Sequence, residues 1–326
     1  MRILRREDIR EAISMGTAIQ IVKEAFVALF KGTAIVPQRI MICPEDRPGS
    51  FILFMPAYQQ GWDEVGLKIV GLYPENPSRG LPLIAGFMAV TDARSGKPLA
   101  VMDGTYLTAV RTGAICGVAT DLLANADAKM VAIFGCGLEG RSHLEAVCQV
   151  RRIEKVKVYD IRAEAATALA QEMKGQGRIP QQIEVAASPR EAVRDADIVV
   201  TVTNATSPVF DGGDLKAGAY IHATGAGTRE MREIDEATVQ KSKIVIESPE
   251  VFKAGDLAIP LEMGLITKDG IHAQLAEVIL GEKRGRENPQ ETIFFKSVGN
   301  AIFDLAVARH VLKEAEGRGL GIEAEM

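Results

Sequence analysis

The sequence predicts an α/β protein, in which a doubly wound parallel sheet is combined with a second α+β domain. Three observations predict this class. Short apolar runs alternate with helical stretches between residues 129 and 247, which is typical of right-handed βαβ crossovers. Upstream, strand patterns and a turn signal precede one long helical stretch. The chain has 326 residues, a length at which about two domains are expected.

The first third of the chain is predicted to mix helices with hairpin-forming strands. Apolar side chains recur at helical spacing in residues 15–30, whereas apolar and polar residues alternate in residues 64–71. The predicted segments are a helix at 15–30, strands at 51–55 and 64–71, a loop at 73–82, hairpin strands at 87–91 and 98–102, and a long helix at 105–125.

The central part of the chain is predicted to form the parallel sheet. A glycine-rich turn and a helix ending near Val150 follow its first strand, and Ser188-Pro189 caps a later helix. The tail from Gly317 is expected to fray. Strands are predicted at 129–134, 155–159, 183–186, 198–202, 220–224 and 243–247, and further helices at 163–174, 272–282 and 300–316.

Composition and charge exclude several classes of protein. With 47% hydrophobic and 25% charged residues the chain is globular, and a net charge of -5 gives no reason to expect nucleic acid or an anionic membrane as partner. The basic pairs Arg5-Arg6 and Lys283-Arg284 are interpreted as solvated surface charge. The charged N-terminus does not resemble a signal peptide, and no apolar run is long enough to span a membrane.

The cysteines and histidines are considered as metal ligands or disulfide partners. No two cysteines form a CxxC pair, and none lies at metal-ligand spacing from a histidine, so no metal site is expected. We interpret the cysteines as reduced thiols of a cytosolic protein: Cys43, Cys116, Cys136 and Cys148.

The strongest local motif is GCGLEG at residues 135–140, which lies between a predicted strand and a predicted helix. Gly135 permits the tight turn out of the strand, Gly137 lets the backbone approach a pyrophosphate, and Gly140 lets the helix pack closely on the sheet. The motif therefore predicts a dinucleotide site in a Rossmann domain. The alternative is a tight strand–helix turn that binds no ligand.

The residues after the motif support the same interpretation. The helix start at Leu138 and Glu139 offers N–H groups to the phosphates. Asp160 ends the next predicted strand, 20 residues past Gly140, and can accept hydrogen bonds from the ribose hydroxyls. Because a carboxylate there repels a 2′-phosphate, NAD is favoured over NADP, although Arg162 nearby keeps NADP open.

Two threonines lie at the end of the fourth predicted strand of the sheet. Strand ends near the reversal of strand order border the ligand crevice in such folds. Thr201 or Thr203 is therefore a candidate cofactor contact. The alternative is that both are β-branched strand residues without a ligand.

Three basic residues upstream are candidates for binding an anionic substrate. Lys68 lies on a predicted strand, on the face opposite to its apolar neighbours, and Arg39 follows Pro37. Arg111 lies within a largely apolar helix, where an unpaired guanidinium is costly to bury. A substrate carboxylate or a cofactor phosphate would supply its partner. The alternative is that each is a surface or structural cation.

These residues and motifs together resemble the ornithine cyclodeaminase/mu-crystallin family over nearly the whole chain. An ordered set is far more specific than any single motif. It consists of Pro37-Gln38-Arg39, Gly66-Leu67-Lys68, Tyr73-Pro74-Glu75-Asn76-Pro77, Gly80-Leu81-Pro82, Asp103-Gly104, residues 107–114, the motif at 135–140, Ala254-Gly255-Asp256-Leu257, Gly285-Arg286 and residues 297–304.

The resemblance implies a fold, an assembly and residue roles. It implies a Rossmann domain at residues 116–299, and a substrate-binding and dimerisation domain at 1–115 completed by 300–326, in a homodimer. The residues that match the family's substrate site are Arg39, Lys68 and Arg111. Those that match its cofactor contacts are Arg111, Thr112, Asp160 and Ser297.

Two positions depart from the family's cyclodeaminases. The resemblance implies an Asp in a turn after the fifth strand, where this chain has Gly227, and a Thr where it has Leu83. A glycine cannot transfer a proton, which counts against ornithine cyclodeamination. A replacement acid is sought among Glu230, Glu233 and Asp235; the alternative is that these form an acidic helix start.

We therefore expect an NAD(P)-dependent oxidoreductase of amino acid metabolism, an imino acid reductase or alanine-dehydrogenase-like enzyme. Arg39 and Arg111 would hold the carboxylate of a small 2-imino acid. Lys68 should lose its proton more readily because cations lie nearby, and it would act as acid or base beside the nitrogen. The alternatives are an ornithine- or lysine-type cyclodeaminase, and a mu-crystallin-like protein that binds NADPH and a small ligand.

Overall fold

The computed structural model describes residues 1–325 and divides into two compact units. Unit 1 is Met1–Arg111 together with the segment from Asn300 onward, and unit 2 is Thr112–Gly299. The chain leaves unit 1 within a long helix and returns to it at the start of the last helix.

The strands and helices are numbered here in chain order. The strands are β1 (Arg2–Leu4), β2 (Ala34–Ile35), β3 (Ile40–Ile42), β4 (Phe51–Gln59), β5 (Glu64–Leu72), β6 (Ile84–Asp92), β7 (Pro98–Asp103), β8 (Met130–Phe134), β9 (Lys155–Tyr159), β10 (Ile183–Val185), β11 (Ile198–Thr201), β12 (Tyr220–Ala223), β13 (Lys243–Ile246), β14 (Ala273–Gln274), β15 (Ile293–Lys296) and β16 (Ile322–Glu323). The helices are α1 (Arg6–Ala12), α2 (Met15–Phe30), α3 (Gly104–Leu123), α4 (Leu138–Val150), α5 (Ala163–Met173), α6 (Pro189–Val193), α7 (Glu236–Lys241), α8 (Gly255–Glu262), α9 (Leu275–Ile279) and α10 (Ala301–Arg318).

Unit 1 is built on one mixed sheet in which β4, β5, β6 and β7 form an antiparallel ladder. Helices α2 and α10 pack together, with the rings of Phe26 and Phe303 4.6 Å apart. Residues directly opposite one another in a ladder share a face. One buried row across the ladder therefore consists of three methionines and a lysine: Met55, Lys68, Met88 and Met102.

Unit 2 is a parallel sheet of eight strands in the order β10-β9-β8-β11-β12-β15-β13-β14. From β8 the chain winds outward through β9 to β10, and then returns to place β11 on the other side of β8. This reversal is the topology of a doubly wound sheet, so the predicted fold class is confirmed.

Two expectations for the C-terminal third were wrong, and one strand was missed. Residues 272–282 form β14 and the short α9 rather than one helix. Strand β15, which lies between β12 and β13, was missed, because four fully buried residues carry no alternation. The described part of the tail, residues 317–325, does not fray, since Gly319 ends α10 with a φ of 68° and β16 then pairs with β1.

Among the described residues, no single helix combines the length and hydropathy of a membrane span; only α1 and α2 taken together, across a bend of 84°, reach those values.

Candidate active site

The carboxyl ends of the strands in unit 2 gather most of the residues predicted to bind the dinucleotide. The strand order reverses between β8 and β11, and open α/β sheets bind ligands at such a reversal. The predicted residues at or just beyond strand ends on this edge are Gly135, Asp160, Thr201, Thr203 and Ser297.

The three glycines of the turn after β8 have different structural roles. Gly135 has a φ of 94°, and a Cβ on it would lie 2.5 Å from the Val202 carbonyl oxygen. A Cβ on Gly140 would lie 2.1 Å from the Gly135 carbonyl oxygen. Gly137, the N-cap of α4, borders open space, since its Cβ would meet no atom within 4 Å. The turn therefore leaves room at the start of α4, and its N–H groups suit a diphosphate.

These contacts predict different outcomes for two alanine substitutions. Gly140→Ala is expected to lower the free energy of unfolding by about 1–3 kcal/mol, because the methyl group overlaps backbone. Gly137→Ala is expected to keep wild-type stability but to weaken NADH binding by about tenfold, because the methyl group occupies the diphosphate's place. Thermal unfolding and NADH fluorescence titration measure the two effects; wild-type NADH affinity in Gly137→Ala would contradict this placement.

Asp160 connects the glycine turn to the loop after β9. Its Oδ2 accepts a hydrogen bond from the Cys136 N–H at 2.8 Å, and its Oδ1 accepts one from the Arg162 N–H at 2.9 Å. The Arg162 guanidinium is 70% exposed, and its Nε lies 3.9 Å from Oδ1. Each carboxylate oxygen has a further lone pair, so the group can also accept ribose hydroxyls.

Thr203 is fixed by a buried carboxylate. Glu233 accepts hydrogen bonds from the Thr203 N–H (2.6 Å) and hydroxyl (2.8 Å), and from the N–H groups of Gly225 (2.8 Å) and Ala226 (3.1 Å). Burial raises the pKa of Glu233. Its carboxylate thus ties together the loops after β11 and β12. The hydroxyl of Thr201, also buried, has no hydrogen-bond partner within residues 1–325.

Ser297 is held in the same manner by Glu247, which follows β13. Its hydroxyl makes a short hydrogen bond to Glu247 Oε2, which also accepts the Gly299 N–H at 3.0 Å. Farther along this edge Lys296 pairs with Asp256 at 2.8 Å, and both side chains are fully buried. Buried acids therefore set the positions of the loops in which the predicted cofactor contacts lie.

The second feature of interest lies within unit 1, where Lys68 and Arg111 share one carboxylate. Asp304, on α10, accepts hydrogen bonds at Oδ1 from Lys68 Nζ at 2.8 Å and from Arg111 Nε at 3.0 Å. Lys68 Nζ also lies 3.4 Å from the Thr108 hydroxyl. The three charged side chains are 2%, 7% and 0% exposed for Lys68, Arg111 and Asp304, respectively. We call them the Asp304 triad.

The Asp304 triad has a formal charge of +1 in a nearly dry environment. Charges interact strongly where the effective dielectric constant is low, and an excess buried charge is costly unless an anion accompanies it. The triad is therefore suited to attract an anionic group.

The remaining predicted residues, Arg39 and Thr112, are close to members of the Asp304 triad in strand order or in sequence. Arg39 is half-buried and directly precedes β3, whose partner β4 lies beside the strand of Lys68. Thr112 is buried and follows Arg111 in α3. The roles of Arg39 and Thr112 remain predictions.

Sequence reasoning missed Asp304 and Glu247 as site residues. Asp304 lies in an apolar helical stretch, and a lone acid there is the signal that could have identified it.

Glu233 was considered as a proton donor in place of the acid absent at Gly227. Its four hydrogen bonds suit it to holding loops instead, whereas Glu230 is exposed and Gly227 borders open space.

Known proteins are similar to this chain over nearly its whole length. Residues 1–319 match the model of the ornithine cyclodeaminase/mu-crystallin family. A Δ1-pyrroline-2-carboxylate reductase of Bacillus cereus is 38% identical over the full length of both chains.

Two solved structures share the fold. The structure of Thermococcus litoralis Δ1-pyrroline-2-carboxylate reductase with NADH and L-proline has a TM-score of 0.95 and 43% identity, covering 99% of this chain and 100% of that one. An archaeal alanine dehydrogenase dimer with bound NAD has a TM-score of 0.91 and 35% identity, covering 100% and 99%.

Proposed function

The chain belongs to the ornithine cyclodeaminase/mu-crystallin family, and on this premise we propose that it reduces a small cyclic 2-imino acid, Δ1-pyrroline-2-carboxylate, with NADH. At the level of reaction class it is an NAD-dependent oxidoreductase acting on the C=N bond of an imino acid or the CH–NH bond of an amino acid. The product of the proposed reaction is proline.

The observation that carries the proposal is the Asp304 triad. Its two cations exceed its one carboxylate, so a substrate carboxylate supplies the matching charge, in good geometry to a guanidinium. A cyclic 2-imino acid carries an imine nitrogen on the carbon next to that carboxylate. The same substrate therefore offers an anion to Arg111 and a basic nitrogen to Lys68.

We assign the roles as follows. Arg39 and Arg111 bind the carboxylate, while the Lys68 ammonium donates a hydrogen bond to the imine nitrogen and passes it a proton as C2 is reduced. Asp304 orients the Lys68 ammonium through the 2.8 Å contact. NADH, when bound, supplies the hydride. Proton and hydride together convert the C=N bond to CH–NH.

We assign the cofactor site to the strand-end edge of unit 2. The diphosphate is bound by the turn of Gly135, Gly137 and Gly140, with the N–H groups of Leu138 and Glu139. Ribose hydroxyls are bound by Asp160. Further contacts are assigned to Arg111, Thr112, Arg162, Thr201, Thr203 and Ser297.

Replacing Asp160 by serine is expected to weaken NADH binding by at least about tenfold and to raise the preference for NADPH, because the carboxylate that repels a 2′-phosphate is removed. The ratio of kcat/KM for the two cofactors measures this. Asp127→Ser, at an exposed position of the same unit, is the control. An unchanged ratio in Asp160→Ser would place the ribose elsewhere.

We also propose that the enzyme is a cytosolic homodimer assembled through unit 1. The alanine dehydrogenase with the same fold is a dimer. The cysteines are free thiols, which suits a reducing compartment. Sedimentation analysis distinguishes a dimer from a monomer.

The reaction is tested by following NADH oxidation with a panel of substrates. We expect the highest kcat/KM with Δ1-pyrroline-2-carboxylate, a lower value with its six-membered homologue, and a much lower one with pyruvate plus ammonia. Higher kcat/KM with pyruvate plus ammonia would overturn the proposal in favour of an alanine dehydrogenase, the function of the 35% identical structure. Ammonia release from ornithine or lysine without a net change in NADH would indicate a cyclodeaminase. Cofactor binding without turnover of any substrate would indicate a binding protein.

A further inference from the structure

Unit 2 contains a buried cluster of one cysteine and two histidines that the proposed reaction does not use. Cys116 lies on α3, His143 on α4 and His222 on β12, and all three are fully buried. One ligand atom from each lies within 4.8 Å of the other two. Three potential metal ligands from three separate elements thus converge on one point.

Each of the two imidazoles is held by a hydrogen bond at its Nδ1 atom. His143 Nδ1 lies 2.7 Å from the Glu139 carbonyl oxygen, which can only accept, so Nδ1 donates and Nε2 carries the lone pair. His222 Nδ1 lies 3.3 Å from the Tyr220 hydroxyl, and His222 Nε2 has no hydrogen-bond partner among residues 1–325. An Nδ1–H held by an oxygen is the usual arrangement behind a metal-ligating Nε2.

The spacing of the rings fits a shared ion. Their centroids are 5.4 Å apart in an edge-on arrangement. Two imidazoles bound to one Zn²⁺ through bonds of about 2.1 Å at a tetrahedral angle have centroids about 5.3 Å apart.

Metal uptake changes the protonation of Cys116. A bound metal ion replaces the thiol proton, so uptake releases one proton and forms the thiolate ligand.

We propose that Cys116, His143 and His222 form a binding site for a transition-metal ion that prefers thiolate and imidazole ligands, with Zn²⁺ as its representative. The ion cross-links α3, α4 and β12 within unit 2 and stabilises the fold. It takes no part in the proposed hydride transfer. No metal site was expected from the sequence, because these residues have no regular spacing.

The test is metal binding by the full-length protein, refolded with Zn²⁺ or with Co²⁺ and then desalted. We expect one equivalent of metal per chain, a thiolate-to-cobalt charge-transfer band, and a higher melting temperature with Zn²⁺ than with a chelator. Cys116→Ala should lose the band and the zinc-dependent rise. Cys148→Ala, which removes another buried thiol of unit 2, should keep both.

Two results would overturn the site. One is that the wild-type protein retains no stoichiometric metal after desalting; the other is that Cys116→Ala retains the cobalt–thiolate band. Should Cys116→Ala fail to fold, the comparison of the wild-type protein with Cys148→Ala decides: a band that disappears in Cys148→Ala belongs to a different thiol.

Discussion

Lys68→Met is expected to lower kcat/KM for imine reduction by about 10³-fold or more, while NADH affinity changes less than about twofold. Proton transfer by a positioned side chain contributes about 10²–10⁴-fold to a rate, and methionine has a similar length but neither charge nor proton. The fold should survive, because Asp304 then pairs with Arg111 alone and the group becomes neutral. Steady-state kinetics, NADH titration and thermal unfolding measure the three quantities.

The control for this variant is Lys97→Met in the exposed turn between β6 and β7, which should behave as wild type. A Lys68→Met protein with unchanged turnover would remove the proton-transfer role. A protein that loses turnover and melts far below wild type would instead indicate a structural role. The prediction therefore separates chemistry from folding in one set of measurements.

The proposed cofactor site follows largely from local sequence. The GCGLEG motif between a strand and a helix, and Asp160 at the next strand end, are fixed by short-range spacing, because a tight turn requires glycine at set positions. The doubly wound sheet was predictable for a similar reason, since alternating strands and helices restrict the topology. Strand β15 was not, because its four buried residues lack a periodic pattern.

The proposed substrate site could be predicted only in part. Lys68 and Arg111 are recognisable in the sequence as cations among apolar residues. Their common partner, however, lies on α10, 236 residues from Lys68. No local pattern indicates a contact over that separation. The Cys116, His143 and His222 cluster was missed for the same reason. Residues that act through long-range contacts require the fold to be known first.

The Asp304 triad also determines stability, and Asp304→Asn is expected to lower the free energy of unfolding by about 3–5 kcal/mol. The substitution removes the carboxylate that pairs with both buried cations, Lys68 and Arg111, and loss of the partner of a buried charge is strongly destabilising. Denaturant unfolding measures the loss of free energy of unfolding. Where unit 1 and unit 2 unfold in separate transitions, each transition is analysed by itself. Glu316→Gln, an exposed carboxylate on the same helix, is the control and should have little effect.

A double variant tests the charge argument directly. Adding Lys68→Met to Asp304→Asn removes one of the two cations that lose the Asp304 carboxylate, so the double variant should be more stable than Asp304→Asn alone even though two native side chains are lost. Groups in contact are expected to depart from additivity. Equal or lower stability in the double variant would mean that packing of the Asp304 side chain, rather than its charge, holds α10 on β5. Restored stability would show that the charge balance of the triad governs the fold as it is proposed to govern substrate binding.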